Sequence, residues 1–173
     1  MQVEGAKEAN GTNVQQWGTT GDSIHDVWKL VDAGSGYYYL VSQIGDGKTY
    51  YLNVAGKSSG NGANIEIYKS TGEDNQKFLI TENSDGSYII KTKISKDQSA
   101  VEFADAGKGS GDNVQQWTLN DYPNQNWIFE QVSMSVKLRV INNKILEKHK
   151  DEEVVKTEIY KEKGFVHTVV FVK

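Results

Sequence analysis

Three short segments place an aromatic ring two residues after a Gln or Glu: Asn13–Trp17 and Asn113–Trp117 both read NVQQW, and Asn64–Tyr68 reads NIEIY. Each is followed by a second polar-aromatic cluster, HDVW ending at Trp28, NQKF ending at Phe78 and NQNW ending at Trp127. Each is preceded by a stretch carrying one more polar side chain, QVEGA, LNVAGK or VEFADAGK, and by a glycine-bearing loop, ANGT, GNGA or GSGD. A flat ring beside fixed amides and carboxylates is binding chemistry. It suits a ligand with one face of C–H bonds and a rim of hydroxyls, as a pyranose has.

Other chemistries find less support. The chain has no cysteine, which excludes disulfides, thiolate zinc sites and cysteine nucleophiles. His25, His149 and His167 lack metal-ligand spacing, so no metal or cofactor is expected. Glu73 with Asp74, and Glu152 with Glu153, lie in polar runs and read as solvated rather than as a glycosidase pair flanking a cleft. GDGKT from Gly45 lacks the spacing of a phosphate loop and reads as a hairpin turn. Asn10-Gly11-Thr12 spells a glycosylation sequon, of consequence only in a eukaryotic secretory pathway. A formal charge of -4 offers nothing to phosphate backbones, so nucleic acid is not an expected partner, and no apolar run is long enough for a membrane span.

The elements that must hold these residues follow from the spacing. The segments start at positions 13, 64 and 113, a threefold repeat of about fifty residues. Between them, alternating stretches are broken by GSG, GDG and SDG, which reads as strands joined by tight turns, and no stretch keeps a helical period. The expected body is all-β. Trp28, Phe78 and Trp127 read as core wedges, whereas Trp17, Tyr68 and Trp117, at strand ends before polar turns, read as binding platforms.

These residues carry a resemblance over about residues 1–132 to the ricin B-type β-trefoil lectins, which include the family 13 carbohydrate-binding modules. It implies a β-trefoil with pseudo-threefold repeats, closed so that short strands leave few free edges, and sugar binding without catalysis. In that family the hydroxyl ligands are an Asp before the glycine loop, the Gln of VQxW and the Asn of NQxW. Carried over, the first repeat offers Gln2, Gln15, Trp17 and His25, the second Asn53, Glu66, Tyr68 and Asn75, and the third Glu102, Gln115, Trp117 and Asn124. None keeps the Asp. Because Glu102 retains a carboxylate, the third repeat is expected to bind best, then the second, then the first. Within each NQ pair, Gln is expected to brace the turn and Asn to face ligand. The partner implied is a polysaccharide or glycoconjugate of galactose or xylose type, and the setting extracellular, although no signal peptide opens the sequence. Receptor binding within a pore-forming toxin and a protein-interaction scaffold are the alternatives.

A compositional break near Val132 separates this body, net -7, from a Lys-, Glu- and Val-rich tail at residues 133–173, net +3. The first repeat opens directly in its QVEGA strand, without the strand and turn that introduce the other two. The alternation of Val136–Ile141 is expected to supply that strand, and the two runs around EKG, residues 154–172, to form a hairpin. This β-rich extension either completes the barrel, mediates self-association, or belongs to a neighbouring module.

Overall fold

The computed structural model describes residues 1–18, 24–104, 109–120 and 122–130, together with the backbone of two strands in the tail. It divides into two units, Met1–Glu130 and Gln131–Lys173. Among the described residues the first unit contains eleven strands and short 3-10 turns, with no α-helix.

The strands are β1 (Gln2–Val3), β2 (Thr12–Gln15), β3 (Trp28–Gly34), β4 (Tyr37–Ser42), β5 (Tyr50–Val54), β6 (Ala63–Lys69), β7 (Phe78–Glu82), β8 (Tyr88–Thr92), β9 (Ser99–Phe103), β10 (Val114–Thr118) and β11 (Asn126–Trp127). β3 to β6 form one four-strand repeat and β7 to β10 the next, while β11, β1 and β2 are the described strands of the remaining one. Junctions between repeats recur as well. Tyr38 of β4 faces Phe78 of β7, and Tyr88 of β8 faces Trp127 of β11. The fold is a β-trefoil with pseudo-threefold repeats, followed by a β-rich extension.

The period of two along each strand sets what lies inside. In the three pentapeptides Val14, Ile65 and Val114 are fully buried and join Val3, Leu52, Ile67, Ile90 and Val101 in one core. Each such side chain contributes about 1.5–3 kcal/mol through burial. Phe78 and Trp127 sit in this core as wedges, and Trp28 packs against it. The indole N–H groups are satisfied at matching places, Trp28 on the Met1 carbonyl at 3.2 Å and Trp127 on the Val101 carbonyl at 3.0 Å. GDGKT is the turn between β4 and β5, tied by the Asp46 carboxylate, which accepts from the backbone N–H groups of Lys48 and Thr49.

In the second unit β12 (Val154–Glu162) pairs antiparallel with β13 (Phe165–Val172), closing at Glu162 opposite Phe165. These are the two alternating runs around EKG. The strand expected at Val136–Ile141 lies outside the described residues.

Candidate functional site

Antiparallel pairing brings the first two members of each predicted set face to face. Gln2 opposes Gln15 across β1 and β2, Asn53 opposes Glu66 across β5 and β6, and Glu102 opposes Gln115 across β9 and β10. Residues directly opposite on one face lie within hydrogen-bond reach. Asn53 Nδ2 donates to Glu66 Oε1 at 2.9 Å, and Gln115 Nε2 donates to Glu102 Oε1 at 3.0 Å. The second and third repeats therefore each carry one amide and one carboxylate, on opposite strands of the pair. The first carries two amides, and Gln2 and Gln15 are both buried.

The NQ clusters close these pairs from one side. They form 3-10 turns at Asp74–Gln76 and Pro123–Gln125. Asn75 Nδ2 donates to Asn53 Oδ1 at 2.8 Å and to the Val54 carbonyl at 3.1 Å, and Asn124 Nδ2 donates to the Phe103 carbonyl at 3.0 Å. In both repeats the remaining Asn oxygen, Asn75 Oδ1 or Asn124 Oδ1, is buried without a hydrogen-bond partner. A buried acceptor left unpaired costs about 1–3 kcal/mol, a loss that a ligand hydroxyl recovers where a shift of the turn opens the oxygen to it. The neighbouring glutamines are fully buried and brace the turn: Gln76 donates to the Lys69 carbonyl and Gln125 to the Thr118 carbonyl, each at 3.0 Å. In the first repeat His25 reaches β1 through its main chain, where its carbonyl accepts from Val3 N–H at 2.8 Å.

The two carboxylates differ in how far they are committed. Glu102 is 3% exposed, and its second oxygen also accepts, from Gln125 Nε2 at 2.9 Å. Glu66 is half-buried; its Oε1 accepts from Asn53, and its Oε2 lies 3.7 Å from where a Cβ on Gly11 would stand. Burial raises the Glu66 pKa, and the hydrogen bond from Asn53 opposes that rise.

Trp17, Tyr68 and Trp117 are 47%, 38% and 39% exposed, so all three rings are open to a ligand. Two lean on a neighbouring repeat. Trp117 Cζ3 is 4.0 Å from a Cβ placed on Gly62, and Trp17 Cζ3 is 3.9 Å from one on Gly111. Gly62 and Gly111 hold φ of +78° and +95°, a backbone that glycine adopts without strain and in which a side chain would be strained, while a Cβ there would only touch the indole at ordinary van der Waals distance.

Other residues that support the site were not singled out from sequence. Asn13, Asn64 and Asn113 meet where the repeats converge: Asn64 donates to Asn13 Oδ1 at 3.0 Å and Asn113 to Asn64 Oδ1 at 2.9 Å. Their identity in all three pentapeptides was the available signal. Gln116, fully buried, donates to the carbonyls of Ser58 and Gly60 and accepts from Thr92, which fixes the glycine loop beneath Trp117. Asn10 Oδ1 and Asn61 Oδ1 accept from the backbone N–H groups of Lys69 and Thr118, tying each loop to the strand end beside the next platform.

A family model described as ricin-type beta-trefoil lectin domain-like matches residues 1–68, 46–117 and 74–149. The chain is 33% identical to a designed threefold-symmetric protein, ThreeFoil, over 76% of this chain and 89% of that one, with a TM-score of 0.70. It is 27% identical to an exo-β-1,3-galactanase from Clostridium thermocellum, covering 76% of this chain but 27% of that one, with a TM-score of 0.69. A Polyporus squamosus lectin bound to a human-type influenza-binding epitope is also 27% identical, over 64% of this chain and 37% of that one, with a TM-score of 0.54. No curated protein sequence matches the chain.

Proposed function

The chain belongs to the ricin-type β-trefoil lectin domain-like family, and from that premise we propose that it is a carbohydrate-binding module that recognises galactose- or xylose-type sugars without catalysis. The observation that carries this reading is a repeated constellation. In the second and third repeats a half-exposed ring, Tyr68 or Trp117, accompanies an amide–carboxylate pair and an Asn oxygen with no internal partner. The ring offers a face to the C–H side of a pyranose, and the oxygens without an internal partner, Glu66 Oε2 and the two Asn Oδ1, offer bonds to its hydroxyls. Each of these two constellations contains one carboxylate hydrogen-bonded to an amide, whereas glycoside hydrolysis ordinarily uses two carboxyl groups on either side of the scissile bond; this favours binding alone. Similarity to a galactanase and to a sugar-bound lectin favours a glycan partner.

Such shallow sites bind weakly one at a time, with dissociation constants on the order of 0.1–1 mM, and gain avidity on a polymer that engages several repeats. The test is titration of soluble galactan and xylan against the protein and against Trp117→Ala. Loss of the indole is expected to weaken polymer binding about tenfold, roughly 1.4 kcal/mol. Unchanged affinity would remove Trp117 from the site, and a glycan array without any bound sugar would sink the reading as a whole.

A further inference from the structure

The platform of the second repeat differs from the other two in reach. Trp17 and Trp117 each extend to the glycine of the adjoining loop, Gly111 and Gly62. The glycine in the same place beside the second repeat is Gly11, with the same left-handed backbone, φ +80°, yet no atom of Tyr68 is among those within 4 Å of its Cβ position. The group that approaches it is Glu66 Oε2, at 3.7 Å.

On this same loop lies an open cleft of about 590 Å³, lined by Glu4, Gly5, Lys7 and the run Ala9–Asn13. None of Gln2, Gln15, Trp17 or His25 lines it, nor do Glu66 and Tyr68; it lies at the tip of the hairpin that joins β1 to β2. Its neighbour is the second repeat, because Asn13 of β2 faces Glu66 of β6 and Asn10 caps Lys69 just beyond Tyr68. Its polar lining has both signs: Glu4 accepts and Lys7 donates. A neutral sugar, whose adjacent hydroxyls both donate and accept, meets such a lining without an unpaired charge.

We propose that this cleft is an additional subsite, which holds the next residue of an oligosaccharide whose first residue lies on Tyr68, with Glu66 Oε2 accepting a hydroxyl at the junction. The inference rests on the carbohydrate-binding reading above. It makes the second repeat a site for a sugar chain, spanning two repeats, where an indole in place of Tyr68 would fill the space over Gly11.

The test uses the full chain with Trp17→Ala and Trp117→Ala, so that the second repeat dominates, and calorimetric titration with galactose and β-1,3-galactotriose, then xylose and xylotriose. In one of these series the trisaccharide is expected to bind about tenfold tighter than the monosaccharide. Glu4→Ala with Lys7→Ala, both exposed positions, is expected to erase that gain and leave monosaccharide affinity unchanged. Tyr68→Trp, which places an indole over Gly11, is expected to abolish the gain of the trisaccharide over the monosaccharide. Equal affinity for the two chain lengths in both series, or a gain that survives Glu4→Ala with Lys7→Ala, overturns the subsite. Failure of the unsubstituted protein to bind any of the four sugars overturns the carbohydrate reading itself and this inference with it.

Discussion

The second and third repeats contain the same two functional groups in opposite places. In the third, the carboxylate of Glu102 sits on the strand before the glycine loop, and both its oxygens accept, from Gln115 and from Gln125. In the second, that position holds Asn53 and the carboxylate has moved across the pair to Glu66, where one oxygen accepts from Asn53 and the other faces the loop of the first repeat. The exchange keeps the local hydrogen bond and changes the carboxylate's work. Glu102 is a buried brace; Glu66 is a half-buried group with an oxygen to offer. A carboxylate kept in the third repeat is thus no sign that ligand touches it, and the ligand contacts we propose there are Trp117 and Asn124 Oδ1.

The difference predicts unequal costs of removal. Glu102→Ala removes an acceptor from half-buried Gln115 and from fully buried Gln125, which keeps its bond to the Thr118 carbonyl, and opens a gap where a buried side chain stood; it is expected to destabilise the fold by about 2–4 kcal/mol. Glu66→Ala removes one partner from Asn53 at a position that water reaches, and about 1 kcal/mol or less is expected. Urea denaturation of the two variants measures both. Losses of similar size would mean that Glu102 does not brace the third repeat.

A smaller effect distinguishes the sites in solution. Burial raises the Glu66 pKa, and a sugar hydroxyl that donates to the ionised oxygen competes with the proton. Affinity at the second repeat should therefore fall as pH drops, beginning above the usual glutamate range. At the third repeat the acceptor we propose is an amide oxygen, Asn124 Oδ1, which does not titrate. Sugar titrations from pH 7 to pH 4 on chains carrying either Trp117→Ala or Tyr68→Ala compare the two, and parallel profiles would remove Glu66 from contact with ligand.

Much of this arrangement was legible in the sequence because it rests on periodicity and repetition. The fifty-residue offset gives the three repeats, the alternation within NVQQW sends Val14 and Val114 inward and Trp17 and Trp117 outward, and the NQ clusters mark the turns. Commitment was not legible. That Glu102 spends both oxygens internally depends on a glutamine 23 residues away in sequence, and that Glu66 keeps one free depends on a glycine loop from another repeat. The meeting of Asn13, Asn64 and Asn113 is likewise a product of three strands converging, which no local pattern encodes.

The smallest predicted effect is the sharpest test of the comparison, because it exchanges the arrangements without removing a functional group. Asn53→Glu combined with Glu66→Gln gives the second repeat the order of the third. The new carboxylate would stand opposite an amide, as Glu102 stands opposite Gln115. Gln76 occupies the turn position of Gln125 and is fully buried, with its Nε2 donating to the Lys69 carbonyl as Gln125 Nε2 donates to that of Thr118. It is placed to give the carboxylate its second bond. One added methylene in a buried position costs about 1–3 kcal/mol through overpacking, and the two charge-assisted bonds offset most of it, so net stability should stay within about 1 kcal/mol of the parent. Affinity at the second repeat should fall about as far as the parent's does in acid, because an amide replaces the ionised oxygen of Glu66, and its acid sensitivity should disappear. If the double variant still loses affinity with acid as the parent does, the titrating group is not Glu66 and the division of labour between the two carboxylates fails.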